Sequence, residues 1–181
     1  MKIKSILVSQ PQPSETEKSP YVEIGKKFNI KVDFFKFIKI EGVESKDFRR
    51  DRIHFEDYTA VIFTSRNAVD HYFRMAKELR FEVPDTMKYF CTTEATAFYL
   101  QKYIQYRKRK IFHGKQEFED LVDVVKKHKT EKYLLPCSDV AKDNIPKTLE
   151  KLGVEYAKAV IYKTVASDLT EIDLHSYDML I

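Results

Sequence analysis

The sequence of 181 residues has no apolar run that approaches the length of a membrane span. A transmembrane helix needs about 20 consecutive, mostly apolar residues. Residues 1–8 are also too short and too strand-like to form a signal peptide. We therefore predict a cytoplasmic protein without a membrane segment.

Cysteine and glycine are scarce, which limits the kinds of site that the chain can build. The two cysteines, Cys91 and Cys137, lie in or beside apolar, strand-like runs, so we predict buried thiols and no disulfide framework. The five histidines have no metal-ligand spacing, and the sequence contains neither a glycine-rich phosphate loop nor a dinucleotide-binding fingerprint. The sequence therefore predicts no metal and no cofactor.

The composition is otherwise that of a folded protein. Hydrophobic residues make up 43% of the chain and charged residues 33%, proportions that exclude an intrinsically disordered protein. The formal net charge of +4 is only mildly basic. This charge is compatible with an anionic partner but does not identify one.

A stretch in the first half of the chain has the pattern of a buried strand that leads into a helix. Residues 60–63 are continuously apolar, as in a parallel strand that is covered on both faces. From Ala68 onward, apolar residues recur at spacings of one, three and four, which predicts an amphipathic helix. The corner between this strand and this helix consists of Thr64, Ser65, Arg66 and Asn67.

These four corner residues are candidate carboxylate binders. Free amides at the start of a helix attract anions, and hydroxyl and guanidinium groups donate hydrogen bonds to carboxylates. Capping of the helix is the alternative interpretation, and it requires no ligand. The two roles are compatible, because a capped helix start keeps spare amides.

The same succession of strand, hydroxyl residue and helix recurs along the chain. Thr92 and Thr93 follow a predicted strand at 87–91, and Ser138 follows another at 132–135. Capping is the favoured interpretation of these hydroxyls, although they occupy turns equivalent to the first corner. They are therefore secondary candidates for binding an anionic ligand.

Strands alternate with helices throughout, which predicts an α/β fold with parallel sheets. Two β-prone runs, 30–40 and 154–165, are longer than ordinary strands, and we interpret them as connectors between two domains. Residues 39–165 would then form one domain. Residues 1–38 and 166–181 would form the other, which is predicted to be incomplete because its last strand has no helix after it.

Three motifs resemble those of the uroporphyrinogen-III synthase family. They lie at residues 6–11 (ILVSQP), 61–69 (VIFTSRNAV) and 160–164 (VIYKT), and the resemblance spans essentially the whole chain. It implies two parallel-sheet α/β domains joined by a two-stranded β connector, with the active site in the interdomain cleft. Family members are longer than this chain, so the resemblance also implies a truncation at the C-terminus.

The resemblance further implies a cofactor-free, monomeric lyase of haem biosynthesis. Such an enzyme cyclises the linear tetrapyrrole hydroxymethylbilane, with loss of water and inversion of ring D, to give uroporphyrinogen III. Tyr162 corresponds to the family's tyrosine and is the candidate acid for the departing hydroxyl. The predicted substrate-binding residues are Ser9, Gln10, Thr64, Ser65, Arg66, Asn67, Thr92, Thr93 and Ser138.

The sequence departs from the family pattern at two turns. Many members have a glycine after the strands that end here near Phe90 and Leu135, but residues 91–94 and 136–139 contain none. A glycine lets the backbone approach a ligand closely. The departures therefore weaken the case for backbone contacts with the substrate at these turns.

A basic run at 102–110 supports a competing hypothesis from another functional class. Its interleaved tyrosines and basic residues are typical of surfaces that contact phosphates and stack on bases. A non-enzymatic α/β module that binds an anionic ligand or RNA is therefore the alternative function. A solvated helix end explains the same run more simply, and we favour that explanation and predict no nucleic-acid partner.

Overall fold

The computed structural model describes residues 3–14, 18–170 and 172–181. Within these residues the strands are β1 Ser5–Val8, β2 Lys31–Phe34, β3 Ile38–Gly42, β4 Ala60–Phe63, β5 Lys88–Cys91, β6 Ile111–His113, β7 Tyr133–Ser138, β8 Tyr156–Ala166 and β9 Met179–Leu180. The helices are α1 Pro20–Phe28, α2 Ser45–Phe48, α3 Arg66–Leu79, α4 Glu94–Tyr99, α5 Val122–Lys127 and α6 Asn144–Leu152. The fold is therefore mixed α/β. None of the helices in the described residues is long and apolar enough to span a bilayer.

The chain divides into two compact units, Met1–Ile40 with Thr164–Ile181, and Glu41–Lys163. The sequence prediction placed these boundaries at 38/39 and 165/166, and its first domain includes residues 1, 2, 15–17 and 171, which lie outside the described residues. The boundaries fall within β3 and β8. That the units are separate domains joined by a two-stranded connector stays a prediction.

The smaller unit contains a three-stranded parallel sheet in the order β2-β1-β9. The side chains of Ile6, Leu7 and Val8 on the central strand are buried. Helix α1 begins with Pro20 at its first position, directly after Ser19. Proline is favoured there because its fixed backbone angle suits a helix start and its missing N–H has no partner to lose.

The second sheet has six strands in the order β3-β8-β7-β4-β5-β6. The pairings of β4 with β5 and β7, of β5 with β6, and of β7 with β8 are all parallel. The long run at 30–40 therefore supplies β2 to the first sheet and β3 to the second. The other long run forms the single eleven-residue strand β8.

Strand β4 is covered on both faces, which confirms the prediction from its continuous apolar sequence. Val61 and Phe63 belong to one apolar cluster, which includes buried side chains of α3 and α4. Ala60 and Ile62 belong to a second cluster, which includes buried side chains of α5 and α6. This division follows from the pleat, which directs successive side chains of a strand to opposite faces.

The helical segment that precedes β7 begins with a 3₁₀ turn. Residues Phe118–Leu121 form a 3₁₀ turn that leads into α5. Glu117 and Asp120 cap this turn reciprocally, and the Asp120 carboxylate also accepts from the amides of Lys115 and Gln116 at 2.8 and 3.0 Å. These local bonds favour a tight turn over a continuous α-helix.

Candidate functional site

An open pocket of ≈ 510 Å³ lies in the larger unit at the carboxyl ends of β4, β5 and β7. Ligands of parallel α/β sheets bind at this end of the strands, and the volume is within the range of small-molecule sites. The residues that line the pocket are Thr64, Ser65, Thr92, Gln116, Glu117, Phe118, Glu119, Leu135, Cys137, Ser138, Ala141, Lys142, Asn144, Ile145 and Tyr162.

The corner between β4 and α3 forms one wall of this pocket. Ser65 Oγ accepts a hydrogen bond from the Ala68 amide at 3.1 Å and so caps α3. Thr64 and Ser65 are partly buried and line the pocket, whereas Arg66 and Asn67 are exposed and are not among the lining residues. The capping interpretation is thus confirmed for Ser65, which lines the pocket as well.

Two adjacent threonines after β5 have different roles: one lines the pocket and the other caps a helix. Thr92 is buried, lines the pocket and donates through Oγ1 to the Thr64 carbonyl at 3.4 Å, which links the ends of β5 and β4. Thr93 caps α4, because its Oγ1 accepts from the Thr96 amide at 3.1 Å, and it does not line the pocket. Substrate binding by Thr93 stays a prediction.

The end of β7 supplies the predicted residue Ser138, which is the last residue of the strand and does not follow it, and the segment beyond supplies two residues that the sequence prediction missed. Ser138 is buried, lines the pocket and accepts through Oγ from the Val140 amide at 3.2 Å. Lys142 and Asn144 line the pocket as well and are exposed. Lys142 lies between a buried strand and a helix, and Asn144 is the first residue of that helix, which is the kind of position that identified Thr64 and Ser65.

The start of α6 borders the pocket without a side-chain cap. Asp143 precedes the helix, but its carboxylate pairs with the Lys158 ammonium at 3.0 Å and does not cap the first turn.

The Cys137 thiol, on β7, also lines the pocket. Burial raises its pKa to about 11. That thiol is therefore un-ionised at neutral pH and is a poor nucleophile.

Tyr162 reaches the pocket from β8. Its side chain is 7% exposed, and its ring stacks on that of His71 with centroids 5.0 Å apart and an interplanar angle of 20°. Burial raises the pKa of the Tyr162 phenol, and a hydrogen bond with Ser65 opposes that rise. The phenol is accordingly protonated at neutral pH and is available as a donor.

The charges of the pocket are mixed. Lys142 is the one basic side chain among the lining residues, and Glu117 and Glu119 are the acidic ones. Glu117 is engaged in the reciprocal cap with Asp120. Across the part of the chain that the structure describes, no group of three or more His, Cys, Asp or Glu residues is arranged to hold a metal ion.

A family model described as uroporphyrinogen-III synthase HemD matches residues 19–176. The chain belongs to the uroporphyrinogen-III synthase family. The match includes two of the motifs that carried the resemblance, at 61–69 and 160–164, and these motifs contain Thr64, Ser65 and Tyr162, which line the pocket. No curated protein matches the chain by sequence.

Solved structures of uroporphyrinogen-III synthases have a similar fold. A mutant of the enzyme from the extremely thermophilic bacterium Thermus thermophilus aligns with a TM-score of 0.64 and 11% identity, over 91% of this chain and 64% of that one. The uroporphyrinogen-III synthetase of Helicobacter pylori 26695 aligns with a TM-score of 0.57 and 15% identity, over 97% of this chain and 68% of that one. The chain thus spans about two thirds of the length of these structures.

The remaining candidate substrate-binding residues are not among those that line the pocket. Ser9 and Gln10 follow β1 in the smaller unit, where Ser9 is partly buried and Gln10 is exposed. Arg66 places its guanidinium carbon 5.4 Å from the centre of the Tyr99 ring, on α4. Binding of substrate by Ser9, Gln10, Arg66 and Asn67 stays a prediction.

The basic run at 102–110 has acidic partners within the larger unit. Lys102 pairs with Asp70 at 3.0 Å, and Arg107 pairs with Asp85 at 3.3 Å. Lys110 donates to the Asp85 carbonyl. These contacts engage part of the positive charge of the run, and no observation favours a nucleic-acid ligand over a solvated surface.

Proposed function

We propose that this protein is a uroporphyrinogen-III synthase that cyclises hydroxymethylbilane, with loss of water and inversion of ring D, to uroporphyrinogen III. The observation that carries the proposal is the grouping of Tyr162 with four predicted binding residues in one pocket of a family member. Those four residues are Thr64, Ser65, Thr92 and Ser138.

Tyr162 is proposed to act as the acid that assists departure of the hydroxyl group of the bilane. Because its pKa is raised by burial, the phenol carries its proton at neutral pH. Transfer of that proton to the hydroxyl oxygen, as its bond to carbon breaks, releases water and leaves a phenolate and a carbocation stabilised by the adjoining pyrrole. Closure onto that carbon releases one proton, and the phenolate regains one from solvent. The hydrogen bond with Ser65 stabilises the phenolate while it exists.

The hydroxyls around the pocket are proposed to hold carboxylates of the substrate. Thr64 and Ser65 lie at the start of the 14-residue helix α3, where the helix dipole favours negative charge. Lys142 adds a cation to the pocket lining, two residues before α6 begins. Binding at several points would hold the chain bent, so that the intramolecular attack on the last ring is favoured entropically.

The decisive experiment is to incubate the full-length protein with hydroxymethylbilane and to separate the product isomers. We expect uroporphyrinogen III to form faster than the spontaneous type I isomer. A product that is only type I, formed at the rate measured without protein, would exclude the proposed function.

The role of Tyr162 is tested by Tyr162→Phe, which removes the proton donor and keeps the ring. We expect turnover to fall roughly tenfold or more, because general acid catalysis contributes at least that much in many enzymes. Tyr156→Phe is the matched control, since Tyr156 lies on the same strand but donates to Glu150 at 2.8 Å, outside the pocket. Equal turnover in both variants would remove the assigned role.

A further inference from the structure

The direction of the Tyr162 side chain depends on an irregularity in the sheet. Strands β7 and β8 pair Cys137 with Val160, but the next pair is Ser138 with Tyr162, so Ile161 is an additional residue in β8. In a regular strand Ile161 and Tyr162 would face opposite sides of the sheet. Here both belong to the apolar cluster on the side of α3. The shift therefore brings Tyr162 to the helix side, as bulges commonly do beside functional sites.

A side chain of α3 holds this irregularity together with the Val43 amide, which donates to the Ile161 carbonyl at 3.0 Å. Arg74 Nη2 donates to the carbonyl of Ile161 at 3.0 Å and to that of Val43 at 3.0 Å. The Ile161 carbonyl belongs to the additional residue, immediately before Tyr162. The guanidinium thus fixes the backbone from which the Tyr162 side chain projects.

The same guanidinium also fixes the ring that covers Tyr162. Arg74 Nε donates to His71 Nδ1 at 3.3 Å, and the His71 ring stacks on the phenol. Arg74 is itself held by Glu78, one turn later on the helix, at 2.6 Å. Neither Arg74 nor His71 lines the pocket, so their effect on the site would act through Tyr162.

The guanidinium occupies a space that is open only because residue 42 is glycine. A Cβ atom added to Gly42 would lie 2.8 Å from Cζ and Nη2 of Arg74. Such a distance requires one group to move, and here the group that moves is the guanidinium. Gly42, at the end of β3, is therefore part of the same arrangement.

We propose that Arg74 and His71, with room provided by Gly42, are positioning residues that aim the Tyr162 phenol into the pocket. This proposal rests on the proposed function in so far as Tyr162 is the acid. The three residues do not line the pocket, so we expect them to affect turnover more than substrate binding.

The test uses the full-length protein and the variants Arg74→Met, Gly42→Ala and His71→Phe. Arg74→Met should lower kcat roughly tenfold and change KM by less than about twofold, because small displacements of a catalytic group are costly to the rate. Gly42→Ala should lower kcat in the same way, and the double variant should be no slower than Arg74→Met alone. His71→Phe keeps the stacked ring and should retain more activity than His71→Ala.

A readout independent of catalysis separates this proposal from the proposed function. The ¹³Cζ resonance of Tyr162, assigned by its loss in Tyr162→Phe, should shift in Arg74→Met and Gly42→Ala. It should be unchanged in Lys77→Met, an exposed control on the same helix. If Tyr162 proves not to be the acid, these shifts still test whether Arg74 and Gly42 orient it.

Two outcomes would overturn the proposal. One is a Tyr162 resonance that is unchanged in both variants, whatever the rate. The other is an equal loss of kcat from Arg74→Met in the native and Tyr162→Phe backgrounds, which would show that Arg74 acts by another route. If Arg74→Met fails to unfold cooperatively, Gly42→Ala carries the test, since it displaces the same guanidinium without deleting it.

Discussion

Among the described residues that line the pocket, Lys142 carries the one positive side-chain charge, and two glutamates carry negative charges. Glu117 and Glu119 line the same pocket and would repel a polycarboxylate. The carboxylate of Asp143, next to Lys142 in the chain, already pairs with the Lys158 ammonium. Under the proposed function, we expect Lys142 to pair with a carboxylate of the substrate.

We expect Lys142→Met to raise KM roughly twofold to fivefold with little change in kcat, as befits an exposed ion pair. Lys147→Met is the matched control, because Lys147 is exposed on α6, five residues further along the chain, but does not line the pocket. Steady-state kinetics at low and high salt will check the effect, since screening should reduce the difference between the variants. Identical KM values at low salt would contradict it.

His71 makes stability depend on pH in a predictable direction. Burial and the neighbouring Arg74 lower its pKa from the ordinary value of 6.5, and Asp70 opposes them. The folded protein therefore favours the neutral ring, which stacks on the Tyr162 phenol and accepts from Arg74. Protonation at Nδ1 would remove that acceptor.

The contribution of His71 to stability is fully present above pH 6.5 and is lost as pH falls through the lowered folded-state pKa. Urea unfolding of the native protein and of His71→Phe, measured at a series of pH values, will test this. The native protein should lose more stability than the variant on acidification below pH 6.5. Parallel pH profiles would show that His71 does not contribute.

At the scale of single elements, the strand-to-helix corners combine capping with a place at the pocket. Ser65 caps α3 and lines the pocket, whereas at the next corner the two tasks are divided between Thr93 and Thr92. The two corners have the same spacing, because one residue, Thr64 or Thr92, separates the strand end from the cap residue in each.

Thr93→Ala should lower the free energy of unfolding by about 1 kcal/mol, the usual cost of losing a threonine cap. Its KM should stay at the native value, because Thr93 does not line the pocket. Chemical denaturation and steady-state kinetics give both quantities. A raised KM with unchanged stability would reverse this expectation and support direct binding by Thr93.

At the scale of the whole molecule, the apolar core is unequally distributed between the two units. Both apolar clusters consist of residues between 41 and 163. The buried apolar residues of the smaller unit, among those described, are Ile6, Leu7 and Val8. A unit with so small a core has little apolar burial to offset its loss of chain entropy.

We therefore expect a fragment of residues 41–163 to fold alone and to unfold in one cooperative thermal transition. A peptide of residues 1–40 linked to 164–181 should show no such transition. Circular dichroism and calorimetry of both fragments will decide. A 41–163 fragment without a cooperative transition would show that its two clusters do not suffice.

Features set by local sequence were predicted correctly. The continuous apolar residues of β4 predicted a strand covered on both faces, and its side chains pack into an apolar cluster on each face. Apolar periodicity does not distinguish the 3₁₀ turn at Phe118–Leu121 from an α-helix, because it does not register the amides that Asp120 binds. Lys142 was missed because a single lysine in a turn has no distinguishing pattern.

The sequence by itself determined the alternation of strands and helices, the hydroxyls at the strand ends and the family, since these depend on neighbours a few residues apart. Only the tertiary structure decided which of these residues share a pocket and how Tyr162 is held. Arg74 and the carbonyl of Ile161 are separated by 87 residues and meet through the register of β7 and β8. No local pattern encodes that register, because it is fixed by packing between elements that are distant in the chain.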